Sequence, residues 1–237
     1  MNENVDLPLN RDAFYDNSGN QGLLPYVNSD DSLILDLGCG SGGTGQMIKR
    51  IYNGTYVTGI TCSKKEVISA KKVLDECLFG NLEADSFPEL MNRKYDLIIL
   101  SHVLEHLVDP VAVIKRFLKY LRPHGKLIIA LPNIAFWRCR LHFIQGKFDY
   151  ADGGPLDRTH LKFYTFYTAP TLLIDPIPEL ILTNHDPYGA GVPLAFLRHS
   201  ILPNKWKSAI DCYGVKLFPN LFGYQVNLVA QYVPKIG

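Results

Sequence analysis

The sequence predicts an α/β fold: a doubly wound, mostly parallel sheet that carries a C-terminal extension. Short, continuously apolar runs recur at 32–37, 55–60, 95–100 and 126–131, and such runs suit strands covered on both faces. Segments with helical spacing of apolar residues lie between them, as parallel crossovers require. A glycine-rich turn, Gly38 to Gly45, joins the first run to the first of these helices.

In chain order, residues 1–31 form a polar lead-in whose notable aromatics are Tyr15 and Tyr26. Ser32–Leu37 is the first strand, and a helix begins around Gln46–Arg50 beyond the glycines. Thr55–Ile60 is the second strand. Ser63 then supplies a side-chain oxygen to cap the helix Lys64–Leu74. Residues 77–82 form a short third strand ending at Gly80-Asn81, and Tyr95–Leu100 is the fourth. Over Pro110–Leu121, Val113, Phe117, Leu118 and Leu121 share one helical face. Arg122-Pro123-His124-Gly125 stops that helix before the fifth strand, Lys126–Leu131. Past Pro132, prolines from Pro155 to Pro203 break any long helix and aromatics become dense. Tyr224–Val233 alternates loosely and is expected as a terminal strand.

Composition narrows the function classes. With 237 residues, 47% hydrophobic and 20% charged, the chain can build a full core. A formal charge of +1 gives no basic excess for neutralising phosphates, so nucleic acid is not an expected partner. Cys39, Cys62, Cys77, Cys139 and Cys212 are odd in number and form no CxxC pair, which argues against a disulfide framework or structural zinc. The N-terminus is polar and acidic, and no stretch approaches the roughly 18 apolar residues of a membrane span. The expectation is a soluble protein of a reducing cytoplasm.

The glycine loop admits two ligands. Gly38-x-Gly40-x-x-Gly43 matches a dinucleotide fingerprint, but that reading wants an acid at the end of the second strand, where Thr61-Cys62-Ser63 stand. It also sets Asp36 against a pyrophosphate, which is repulsive. Beside the α-ammonium of an amino-acid ligand the same carboxylate is favourable.

The string Asp36-x-Gly38-x-Gly40-x-Gly42 resembles the first motif of class I methyltransferases. Asp96-Leu97-Ile98-Ile99, Leu104-Glu105-His106 and Leu121-Arg122-Pro123-x-Gly125-Lys126-Leu127 resemble their fourth strand, the turn after it and the run into strand five. The resemblance covers about residues 30–132. It implies a Rossmann-like sheet of seven strands and S-adenosyl-L-methionine as cofactor. The methionine part would lie along Gly38, Cys39, Gly40 and Gly42 with Asp36 beneath, the adenine between Asn81 and Leu82, and the sulfonium near Ser101 and His102. Thr61 and Cys62 stand where the family usually has an acidic ribose ligand. The resulting division is a lead-in at 1–31, a cofactor-binding core at 32–132, an acceptor-binding extension at 133–220, and a terminal strand at 221–237 completing the sheet.

His102-Val103-Leu104-Glu105-His106 spells HxxEH, which on a helix would put three ligand-type residues on one face, as in inverted zinc proteases. Small-RNA 2′-O-methyltransferases use a similar cluster for a metal. Leu-Glu-His also occurs in metal-free methyltransferases, and no metal is assigned here. Asp157-Arg158-Thr159-His160-Leu161-Lys162-Phe163-Tyr164-Thr165 resembles a segment of bacterial methyltransferases of glycan and small-molecule pathways.

These features lead to O-methylation of a sugar, nucleotide sugar or related small hydroxylated precursor. His160 is the first choice of base, His106 the second, and Asp157 or Arg158 orients the substrate. Phe136, Trp137, Phe143, Phe148, Tyr150, Phe163, Tyr164, Phe166 and Tyr167 either wall a pocket or fill the core. Alternative readings are a metal-assisted RNA 2′-O-methyltransferase and a non-catalytic cofactor-binding subunit.

Overall fold

The computed structural model of the chain describes residues 19–189 and 213–235. Tyr15, Pro193, Pro203 and Cys212, which figure in the sequence reading, lie outside the described residues. Seven strands form one sheet: β1 (Leu33–Leu37), β2 (Tyr56–Thr61), β3 (Glu76–Phe79), β4 (Tyr95–Ser101), β5 (Leu121–Pro132), β6 (Leu180–Tyr188) and β7 (Gln225–Tyr232). Their order is β3-β2-β1-β4-β5-β7-β6, with β7 antiparallel to both of its neighbours. The helices include α1 (Gly43–Ile51), α2 (Lys64–Ala70), α3 (Pro110–Leu118), α4 (Trp137–Ile144), α5 (Thr168–Leu173) and α6 (Pro219–Phe222).

The apolar runs are continuous because each strand feeds two cores. Leu35, Leu37, Ile98, Leu100, Leu127 and Ile129 pack with Val113 and Phe117 of α3 and Leu173 of α5 on one face. Ile34, Leu97, Ile99 and Ile128 pack with Ile48 of α1, Val57 and Leu23 on the other. Each such side chain taken fully out of water contributes roughly 1.5–3 kcal/mol. The helix starts have local causes. Asp109 accepts from the Ala112 N–H at 3.0 Å with Pro110 at the first helical position, and Ser63 caps α2.

Several expected boundaries move. The third strand ends at Phe79, so Asn81 and Leu82 lie beyond it, and α2 ends at Ala70. The fifth strand begins at Leu121 rather than Lys126, and the helix before it stops at Leu118. Leu180–Tyr188, within the extension 133–220, forms the edge strand of the sheet. The stretch 133–167 is tied to the strand ends by the Asn133–Tyr164 bridge and by the Leu161 and Lys162 N–H groups on the Glu105 carbonyl. The lead-in contributes the 3-10 turn Gln21–Tyr26, with Leu23 and Val27 in the core.

Candidate functional site

The C-terminal ends of β3, β2, β1 and β4 stand side by side, and ligands of open α/β sheets gather outside that edge. Asp36, next to last in β1, is 2% exposed and its Oδ2 has no hydrogen-bond partner. Burial pushes its carboxyl up to about 7. A buried acid without a partner fits a cationic ligand arriving from outside the chain.

The loop after β1 explains its glycines. Gly38 has φ +72°, and a Cβ there would meet Val103 Cγ2 at 2.4 Å. Gly42, with φ +89°, is the left-handed residue from which α1 begins. The N–H groups of Gly38 and Cys39 both donate to the Ile60 carbonyl, at 2.8 and 2.9 Å, which fixes the loop against the end of β2. The first N–H groups of α1 lack acceptors within the helix and face an incoming ligand's anionic group favourably.

At the end of β2 the Thr61 hydroxyl donates to the Glu66 carboxylate, and both residues are buried. An acid is therefore present beside β2 after all, supplied by the first turn of α2. Cys62 is exposed. Beyond β3, Asn81 Oδ1 accepts the Glu83 N–H at 2.9 Å and the Asn81 N–H donates to Asp85 Oδ2 at 2.8 Å, while Leu82 is buried.

At the end of β4, Ser101 Oγ accepts from Asn20 Nδ2 at 3.0 Å. His102 has φ +56°, and its Nε2 lies 3.0 Å from Gln225 Oε1. Asn20 Nδ2 also donates to Gln225 Oε1 at 3.2 Å, and Gln225 Nε2 donates to Asn227 Oδ1 at 2.7 Å. Asn20 and Gln225 thus join the lead-in and β7 to the site, a role the sequence reading missed. Burial pushes the His102 imidazolium down, but Glu105 and Gln225 outweigh it and the net shift is upward.

HxxEH is not helical across its length: only Leu104–His106 form a 3-10 turn, so the one-face reading fails. Its members divide instead. His102 Nδ1 lies 3.4 Å from Glu105 Oε1, while His106 turns toward the segment 157–163. That segment docks on the turn through the Leu161 and Lys162 N–H groups, which donate to the Glu105 carbonyl at 2.8 and 3.0 Å.

His106 and His160 meet edge to face with ring centroids 4.8 Å apart, and His160 Nε2 is 4.0 Å from Glu105 Oε1. Burial pulls the His160 imidazolium down more than Glu105 raises it, and the net shift is downward. Glu105 is fully buried with neither carboxylate oxygen hydrogen-bonded. Asp157 Oδ1 accepts from the Thr159 N–H at 2.8 Å and the Thr159 hydroxyl at 2.5 Å. Thr159 in turn holds His106, whose Nδ1 lies 3.2 Å from the Thr159 carbonyl. Arg158 pairs with Asp152 at the surface.

The two sets of predicted residues therefore meet at Glu105, which touches His102 on one side and His160 on the other. The aromatics split. Tyr164 and Phe166 are buried, whereas Phe143, Phe148, Tyr150 and Phe163 stay 36–55% exposed. Phe148 stacks on Phe143 at 5.3 Å and meets Phe163, which lies 6.2 Å from His160. A half-open aromatic surface ends at the histidine cluster.

Residues 35–127 match the model of a methyltransferase domain. A ubiquinone biosynthesis O-methyltransferase of Aeromonas salmonicida is 29% identical over 104 residues, covering 42% of this chain and 43% of the relative. A trans-aconitate 2-methyltransferase of Escherichia coli is 30% identical over 112 residues, 47% of this chain and 44% of the relative. The chain spans less than half the length of these curated relatives. Among solved structures, a SAM dependent methyltransferase from Archaeoglobus fulgidus superposes with a TM-score of 0.60 at 16% identity, covering 89% of this chain and 91% of that one. A (4+2)-cyclase superposes at 0.56 with 19% identity over 90% and 80% of the two chains. The fold is thus shared with another chemistry, and the site has to supply the reaction.

Proposed function

We infer that this chain, whose residues 35–127 match the model of a methyltransferase domain, transfers a methyl group from S-adenosyl-L-methionine to a hydroxyl oxygen of a small polar acceptor. Sugars, nucleotide sugars and related glycan precursors are the acceptor class. The observation that carries the reading is buried Asp36, with an unpartnered oxygen, beneath a glycine loop at the end of β1. That arrangement suits an α-ammonium rather than a pyrophosphate.

When bound, the cofactor supplies a methyl group on a sulfonium leaving group that needs no further activation. The chain's own tasks are to hold, align, exclude water and take up a proton. Gly38, Cys39, Gly40 and Gly42 let the backbone approach the amino-acid part, and Asp36 answers its ammonium. Glu66, steadied by Thr61, and Asn81 with Leu82 serve the ribose and adenine. Ser101 and His102, held by Asn20 and Gln225, border the reacting end.

The acceptor lies along the exposed rings of Phe143, Phe148, Tyr150 and Phe163, an apolar surface with polar groups at one end. His160 is the base. Its Nδ1 lies 3.3 Å from the Pro155 carbonyl, which can only accept, so the proton sits on Nδ1 and the Nε2 lone pair faces the cluster. His106 is the second candidate, and Asp157 positions it through Thr159.

The test is label transfer from methyl-labelled S-adenosylmethionine to a panel of sugars, nucleotide sugars and phenols. Label in an ether-linked methyl group of a sugar-type acceptor is expected. Transfer only to nitrogen or carboxylate acceptors would overturn the hydroxyl assignment.

A further inference from the structure

We propose that Glu105, His106 and His160 bind one divalent transition-metal cation, leaving coordination positions open for water and for the acceptor's hydroxyl. The sequence reading assigned no metal, and its HxxEH grouping included His102. The structure replaces that grouping: one ligand atom each from Glu105, His106 and His160 lies within 4.8 Å of the others, and His160 Nε2 is already 4.0 Å from Glu105 Oε1. Zinc bonds of about 2.0–2.2 Å set ligand atoms roughly 3–4 Å apart, so the cluster closes on a cation by about an ångström of side-chain movement.

Two independent features point to a ligand there. The first is the Glu105 carboxylate, fully buried with both oxygens lacking a hydrogen-bond partner. Among the described residues, no lysine or arginine pairs with it; its ion-pair contacts are His102 and His160. Two imidazoles at 3.4 and 4.0 Å are its only ion-pair contacts among the described residues, and a cation between the three side chains would give both oxygens the partner they lack.

The second is the ring orientation. His160 Nδ1 faces the Pro155 carbonyl and His106 Nδ1 the Thr159 carbonyl, at 3.3 and 3.2 Å. Carbonyls accept, so each imidazole keeps its proton on Nδ1 and its lone pair on Nε2. A backbone carbonyl holding the far ring nitrogen is the usual outer support of a metal-binding histidine. Two imidazoles and one carboxylate with open positions form a donor set for zinc, cobalt, manganese or ferrous ions.

The site's use rests on the methyl-transfer reading; its occupancy does not. A cation held by Glu105, His106 and His160 would act as a Lewis acid on the acceptor's hydroxyl, lowering its pKa so that the proton can pass to solvent before the oxygen takes the methyl group. His160 and His106 then serve as ligands, and His160 acts as base only in the metal-free protein.

The experiment is a Co²⁺ titration of the full chain stripped with chelator, followed by visible absorption. S-Adenosylhomocysteine binding is measured on the same preparations. One equivalent of Co²⁺ with d–d bands is expected, and Glu105→Gln, His106→Ala and His160→Ala should each weaken it by about 100-fold or more. His142→Ala, a surface control, should bind as the unsubstituted chain does. Circular dichroism checks that each variant is folded, and Glu105→Gln, nearly isosteric, covers the case in which an alanine variant unfolds. No Co²⁺ binding, or binding unchanged in all three folded variants, overturns the site. If S-adenosylhomocysteine binding survives that result, the methyl-transfer reading stands. Co²⁺ binding without nucleoside binding would instead keep the site and remove the use given to it.

Discussion

The Thr61 hydroxyl donates to the Glu66 carboxylate, so the acid missing from the end of β2 is delivered by the first turn of α2. On the proposed reading, Glu66 rather than Thr61 would carry the interaction with the ribose. Glu66→Gln should weaken S-adenosylhomocysteine by about tenfold, near 1.4 kcal/mol, and Thr61→Val by less. Calorimetric titration of both variants checks this; equal binding in Glu66→Gln would remove the residue from the site.

Asp36 should make cofactor affinity depend on pH. Its carboxyl is pushed up to about 7 by burial, and the thiols of Cys39 in the loop and Cys77 of β3 are the titratable groups whose charge interacts with it. The ammonium needs the ionised form, so binding should strengthen by up to about tenfold per pH unit below 7 and level off above it. A proton should be released on binding near pH 6.5, seen as a buffer-dependent heat. A flat profile between pH 5.5 and 7.5 would contradict the assignment.

The same residue should cost the free protein stability. An ordinary aspartate ionises near 3.8 and this one near 7, so between those values the native state holds a proton that the unfolded chain has lost. Stability from this group falls as pH rises through that window, by up to about 4 kcal/mol. Asp36→Asn should raise the melting temperature of the ligand-free chain at pH 8 while weakening the cofactor. Thermal scans at pH 5 and pH 8 test the sign.

Gly38→Ala should damage the loop in two separable ways. The new Cβ would meet Val103 Cγ2 at 2.4 Å, and φ is +72°. Overpacking costs about 1–3 kcal/mol and the left-handed backbone about 1–2 kcal/mol. Adding Val103→Ala should recover the first part and not the second. Urea unfolding of the single and double variants reads the difference.

His160→Ala should lower kcat by at least about 100-fold while leaving S-adenosylhomocysteine affinity within about threefold. Asp157→Asn should cost about tenfold in kcat, because its carboxylate acts only through Thr159 on His106. A loss of nucleoside affinity equal to the loss of kcat would assign both residues to folding of the segment 157–163.

The parallel strands were legible because β1 and β4 are buried on both faces and leave an unbroken apolar signature. β6 was not, because an edge strand leaves little to read: in Leu180–Tyr188 only Leu180 is buried and Ile181 is 53% exposed. Asp36, Gly38 and Gly42 were legible because a loop and its strand are contiguous in sequence. His106 and His160 were both singled out, but their meeting depends on a segment more than fifty residues away docking on the Glu105 carbonyl. Asn20 and Gln225 carried no local signal, since their hydrogen bonds cross 81 to 205 residues. Glu66 did: Ser63-x-x-Glu66 is a capping-box pattern just after the strand end.

The most direct test of the central claim is calorimetric titration of the full chain with S-adenosylhomocysteine at pH 7.5, beside Asp36→Asn. The expected result is one site of micromolar affinity, weakened at least about tenfold by the substitution. No saturable binding at millimolar concentration, or equal binding in Asp36→Asn, would contradict it.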